Sequence, residues 1–191
     1  MKLILLSTTI MWKEIAIGML TIAAVRSLLD VYVILEYKKI KTLFEQGKYD
    51  VVKQKSLSNL RIANFFSVGP WNKQIYAVYN GICWILASIC IIEENEKGFL
   101  EHLGKIKKEE NFEIKMFALA LYYRAKGETK NAYKWFEKYV KSEHQDAECC
   151  IILKQIFEGT SSQEEVSKSI KTFKNPAIVQ LLKNNGIKGL F

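Results

Sequence analysis

The residues best suited to chemistry are few in this chain, and their spacing argues against catalysis. Its 191 residues hold four cysteines, Cys83, Cys90, Cys149 and Cys150, and two histidines, His102 and His144. No two cysteines stand in a C-x-x-C spacing. Cys83 and Cys90 share a helix face two turns apart, too far to bridge without bending the helix. Cys149 and Cys150 are adjacent and point in different directions. All four read as small buried hydrophobes in a reducing compartment. His144 lies near Cys149 and Cys150, but His102 falls in another segment, so no metal-ligand quartet forms. Glu109 with Glu110, and Glu164 with Glu165, are paired in sequence only, because adjacent helix positions diverge. There is no G-x-S-x-G, H-E-x-x-H, calcium loop or phosphate-cradling glycine loop. The expectation is a protein that is not an enzyme and carries neither metal nor cofactor.

The elements that must position any site are helical. Half the residues are hydrophobic (49%), with 2 Pro and 10 Gly, which excludes disorder over most of the chain and disfavours a loop-rich β fold. The length suits one domain or a short repeat array.

Residues 3–35 are almost all apolar, interrupted by Lys13, Glu14, Arg26 and Asp30. Residues 15–35 (IAIGMLTIAAVRSLLDVYVIL) are long enough to cross a bilayer as a helix. Trp12 before them, and Tyr32 and Tyr37 near their end, suit interfacial positions. Arg26 falls in mid-span, where a lone charge costs about 2.5–3.5 kcal/mol. Asp30, four residues on, offsets part of that along one helix face. A signal peptide fits less well, since Lys13 and Glu14 split the apolar run and no small-x-small cleavage site follows. Met1 and Met11 both serve as possible starts. The competing reading is a soluble helical domain whose N-terminal helix packs on the array or in a homodimer.

Charge placement favours the anchor. Of the net +8, half lies within residues 36–61, next to the apolar run, and residues 62–191 are nearly balanced. Lys38, Lys39 and Lys41 follow the run directly. They orient the rest of the chain to the cytoplasm under the positive-inside rule and suit an anionic membrane surface. The expected location is the cell membrane, single-pass. Nucleic acid is the weaker partner for this charge, because the distal charges are interleaved and no recognition motif is present.

Residues 75–92 (IYAVYNGICWILASICII) form a second uncharged run of 18 residues, which fits either a second span or a helix buried between neighbours. Glu93, Glu94 and Glu96 follow it and give no positive-inside support for crossing, which favours the buried helix.

Residues 115–140 carry the clearest pattern. Met116, Leu119, Ala120 and Tyr123 form one apolar helix face; Gly127 breaks the helix; Ala132, Trp135, Phe136 and Tyr139 resume the periodicity. This predicts a helix hairpin. Weaker copies surround it: Gly47 and Tyr49 mark an upstream turn, with Val52 in place of the small Ala. Turns at Asn95 and Gly159 each lie 32 residues from Gly127. Ser161 and Ser162 with Glu164 and Glu165 form capping boxes for a helix carrying Val166, Ile170 and Phe173. Asn175-Pro176 opens a last helix over residues 177–183, and Gly186 ends it.

On Ala120, Tyr123, Gly127, Ala132 and Phe136 the sequence resembles the tetratricopeptide repeat (TPR) family, whose period is about 34 residues. His144 stands where that family usually ends its repeat with Pro. The resemblance implies an all-α fold, antiparallel helix hairpins stacked as a short TPR-like solenoid, preceded by a long N-terminal hydrophobic helix. The expected organisation is an anchor over residues 1–35, repeats over 36–174, and a capping helix and tail over 175–191. It further implies a concave groove that binds a peptide or helix of a partner protein. Ile114, Phe117, Leu121 and Arg124 would line it in the best repeat, and Cys149, Leu153 and Ile156 in the next. Plain core packing is the competing role for these residues.

Overall fold

The computed structural model describes residues 2–66, 73–106, 112–142, 147–158 and 175–185. Among these residues the chain is all-α. It has eight helices: α1 (Lys2–Glu45), α2 (Tyr49–Phe66), α3 (Lys73–Ile92), α4 (Glu96–Lys105), α5 (Phe112–Ala125), α6 (Thr129–Val140), α7 (Ala147–Glu158) and α8 (Pro176–Asn184). His144, Gly159, Gly186 and the helix expected around Val166, Ile170 and Phe173 lie outside the described residues.

Three connections have one geometry. After α1, the N–H of Gly47 donates to Phe44 O and that of Lys48 to Leu43 O; after α3, Glu94 donates to Ile91 O and Asn95 to Cys90 O; after α5, Gly127 donates to Arg124 O and Glu128 to Tyr123 O. Each is a Schellman motif, in which one left-handed residue satisfies carbonyls left open at a helix end. Gly47 (φ 72°) and Gly127 (φ 75°) take that residue's place in two of them, and Glu94 (φ 56°) does so in the third. The expected turn residue there, Asn95, instead caps α4, its Oδ1 accepting from Gly98 N at 3.0 Å.

Each motif joins two helices that pack together: α1 with α2, α3 with α4, and α5 with α6. In the last pair Ser142 Oγ donates to Glu113 Oε1 and Phe117 lies edge-on to Tyr139, 5.8 Å between centroids. α3 packs also on α1 and α2. Phe99 of α4 meets Tyr122 of α5, and Phe136 of α6 stacks flat on Phe157 of α7 at 4.6 Å. One apolar cluster runs from Val33 to Leu182, and a smaller one joins Ile40 and Phe44 to Val52, Ile85 and Ile89.

The two long apolar helices fare differently. α1 does not stop at residue 35. It continues unbroken to Glu45, and its 44 residues span about 66 Å. Its last third is packed, with Val33, Ile40 and Phe44 buried and Asn59 Nδ2 donating to Val33 O at 3.2 Å. Residues 12–28 are exposed save for half-buried Arg26. Both helices are long and apolar enough to cross a membrane, yet only 6% of the most apolar window of α1 is buried, against 83% for α3. α3 is central to the body, touching α1, α2, α4 and α8.

Candidate partner-binding groove

α8 begins as the sequence predicts. Asn175 Oδ1 accepts from Ala177 N at 2.9 Å, and Pro176 occupies the first turn, where its missing N–H costs nothing. Its aliphatic stripe, Ala177, Ile178, Leu181 and Leu182, is buried. Among the described residues its main contacts are with α3 and α5.

Clefts open at both ends of α8. At its start, Asn175 and Pro176 share a cleft of about 1040 Å³ with Tyr37, Phe44, Trp84 and Ile85. At its end, Leu181 and Asn184 share one of about 400 Å³ with Cys90, Ile91, Glu96 and Tyr122. α8 therefore advances along α3 in the same direction, with a cleft among the described residues beside each end.

Polar contacts fasten the far end of α8 to α5. Asn185, just past α8, donates through Nδ2 to Leu121 O at 2.9 Å and Leu181 O at 2.8 Å. Its Oδ1 accepts from Arg124 Nη1 at 3.2 Å. One amide thus bonds the last turn of α5 to the last turn of α8. The same Arg124 guanidinium lies 5.7 Å from the Phe157 ring of α7.

Beside this junction the Tyr122 hydroxyl donates to Glu96 Oε1, and Lys126 Nζ lies 2.6 Å from Glu96 Oε2. The Lys126 bond, then the Tyr122 bond, hold the Glu96 carboxyl below its usual range. Burial, then the same hydrogen bond, pushes the Tyr122 phenol up. Both groups stay in their ordinary ionisation states near neutrality, so the cluster links α4 to α5 and offers no acid or base poised for proton transfer.

The groove residues expected from the sequence divide into two kinds. Phe117, Leu121, Leu153 and Ile156 are buried in the body, and Ile114 and Cys149 are half-buried beside it. Arg124 is exposed and engaged with Asn185. Leu121, through its backbone carbonyl, and Arg124, through its guanidinium, both contact Asn185, just past the end of α8. Asn185 was not foreseen: it lies 64 residues from Leu121, and no local pattern links the two.

Lys38, Lys39 and Lys41 are exposed on α1, with Lys39 Nζ 2.6 Å from Glu36 Oε1. Cys83, Cys90 and Cys150 are buried free thiols and Cys149 is half-buried. Burial pushes the Cys90 thiol up, away from the reactive thiolate. Among the described residues, no three His, Cys, Asp or Glu side chains cluster closely enough to hold a metal ion.

No protein-family model matches the chain. No curated protein and no solved structure is similar to it.

Proposed function

We propose that this protein is a membrane-tethered, cytoplasm-facing helical adaptor that binds a peptide or helix of a partner protein. The observation that carries the tether is the exposure of α1. Trp12 is 64% exposed, Leu20 and Leu28 are each 71%, and Ile22 is 70%. So wide an apolar surface is unfavourable in water and favourable in a bilayer. Residues 12–32 extend about 32 Å as a helix, enough for a hydrocarbon core of about 30 Å. Arg26 and Asp30 fall one turn apart within this stretch, and Lys38, Lys39 and Lys41 follow at the end nearer the body. That arrangement favours a single crossing with residues 36–191 in the cytoplasm, α3 remaining an internal helix.

Three helix pairs closed by one recurring turn support a TPR-like hairpin array for the body. The packing of α8 on α3 and α5 supports recognition of a helix. No acid–base pair or metal cluster among the described residues favours chemistry over binding, so the adaptor reading is preferred to an enzymatic one. Mixed surface charge on the distal helices likewise favours a protein partner over nucleic acid.

Membrane fractionation tests the tether. The full chain is expected in the pellet after high-salt and alkaline carbonate washes, and in solution only with detergent. Recovery without detergent would sink it and leave α1 packing on a second copy. Protease added to the cytoplasmic face is expected to remove residues 36–191.

A further inference from the structure

We propose that the helical body sits directly on the bilayer surface, where Arg61 of α2 and Lys73 of α3 bind the headgroups of anionic phospholipids. This deepens the tethered reading and rests on it for the place of the membrane.

The depth of each cation follows from its register against α1. α2 runs back along α1 from the Gly47 turn. Lys55 pairs with Glu36 at 3.5 Å, and Asn59 Nδ2 reaches Val33 O at 3.2 Å. Continued by two residues, that register sets Arg61 about level with Val31. α3 runs in the same direction as α1, since Tyr37 lies on Gly81 while Ile40 and Phe44 cluster with Ile85 and Ile89. Followed back to the start of α3, that register sets Lys73 about level with Leu29.

These are also the levels at which α1 enters the body. Val33 is its first buried side chain among those described, and Val31 and Tyr32 just before it are exposed. The last turn of the apolar run therefore lies beside the last turns of α2 and the first of α3. A span ending at Tyr32 brings Arg61 and Lys73 to headgroup depth. Lys38, Lys39 and Lys41 follow about two turns farther along α1, beyond that layer.

Charge agrees with the placement. Arg61 and Lys73 are exposed, and neither forms an ion pair among the described residues. Lys39 and Lys55, by contrast, are occupied by Glu36, and Lys53 by Glu93. Arg26 and Asp30 prolong the stripe of Val33, Tyr37, Ile40 and Phe44 along which α1 packs on the body. Arg26 is half-buried there, and its long stem lets the guanidinium reach toward the interface. On α1, α2 and α3, the charges at this depth are thus Arg26, Arg61 and Lys73 against Asp30, an excess of cations. The tether holds them in the lipid layer, so headgroups meet them before any soluble acidic segment does.

The test uses the full chain in vesicles of phosphatidylcholine and phosphatidylserine, with half-buried Cys149 replaced by Ser and the three buried thiols left in place. One fluorophore is attached at a time, at Gln74→Cys beside the seat, Lys48→Cys at the far turn, or Leu20→Cys in the span, all exposed positions. The quencher is a nitroxide carried near the headgroup of either lipid. At residue 74 the phosphatidylserine quencher is expected to associate at least about five-fold more strongly than the phosphatidylcholine one, the preference one cation supplies at an anionic surface. Residue 48 is expected to be quenched less by both. Arg61→Glu with Lys73→Glu is expected to remove the preference at residue 74, and Lys130→Glu with Lys134→Glu on α6, an equal change of charge, to leave it. Quenching at residue 74 no stronger than at 48, equal action of the two lipids, or a preference that follows net charge alone overturns the proposal. If the double variant fails to fold, the wild-type comparison of residues 74 and 48 decides. Residue 20 separates the two readings. A label there that water-borne iodide reaches brings down the tether and this seat with it, whereas a shielded label with no lipid preference at residue 74 brings down the seat alone.

Discussion

The phenol ring of Tyr37 lies directly on the backbone of Gly81. A β-carbon at residue 81 would sit 2.7 Å from Tyr37 Cζ and 2.9 Å from Cε2, closer than side chains approach. Here α1 enters the body and meets α3, so a missing side chain on one helix is what admits an aromatic ring from the other. Tyr37 also lines the large cleft at the start of α8. The contact therefore joins α1, α3 and the cleft at the start of α8.

Gly81→Ala is expected to destabilise the chain by about 1–3 kcal/mol, the usual range for overpacking a filled contact. Urea unfolding in detergent would measure it. Tyr37→Ala removes the ring, so the double variant should lose less than the two single losses added together. Full additivity would show that the ring and the glycine do not meet.

Glu94 holds the left-handed position that glycine holds in the two sister turns, at φ 56°. A β-carbon there costs about 1–2 kcal/mol, and glycine returns part of that gain through its more flexible unfolded chain. Glu94→Gly is expected to stabilise by about 0.5–1 kcal/mol net, seen as a higher Tm. Glu94→Ala should give no such gain.

His102 is half-buried, and its Nδ1 makes no hydrogen bond among the described residues. Burial first, and then Lys105, lower its pKa from the usual 6.5. The unfolded chain therefore binds the proton more readily than the folded one. Stability is retained above about pH 6.5 and falls as the pH drops below it, because protonation favours unfolding. A Tm series from pH 8 to pH 5 should show this decline, and His102→Gln should flatten it. The lowered carboxyls of Glu36, Glu96 and Glu101 act separately: their contribution is present above the usual value of 4.5 and is lost below it.

Replacing Lys38, Lys39 and Lys41 together by Glu removes the positive flank of α1. Each lysine near an anionic leaflet contributes about 1 kcal/mol, so the triple variant should lose its orientation bias. Protease protection in sealed vesicles would read this as a mixed population. An unchanged cleavage pattern would show that these lysines do not set the topology.

Much of the local structure was legible from nearest neighbours. Apolar periodicity marked α5 and α6, Gly127 marked the turn between them, Gly47 marked the turn between α1 and α2, and Asn175-Pro176 marked the start of α8. Each signal acts within about one helical turn, through hydrogen bonds and side chains that the local sequence itself supplies. Even so, Asn95 drew attention from Glu94, because capping and left-handed residues stand side by side and a non-glycine residue can fill the second role.

By itself, then, the sequence determined that this chain is helical, where several helices begin and end, and that two of them are apolar over spanning length. Only the tertiary structure decided which of those two is wrapped by protein, since composition is the same whether a helix is covered by other helices or left bare. It also decided the place of α8, the junction of Asn185 with Leu121 and Arg124, and the meeting of Tyr122 with Glu96 and Lys126. These depend on contacts between residues 26 to 64 positions apart, which no local periodicity encodes. Burial and docking are properties of the packed whole.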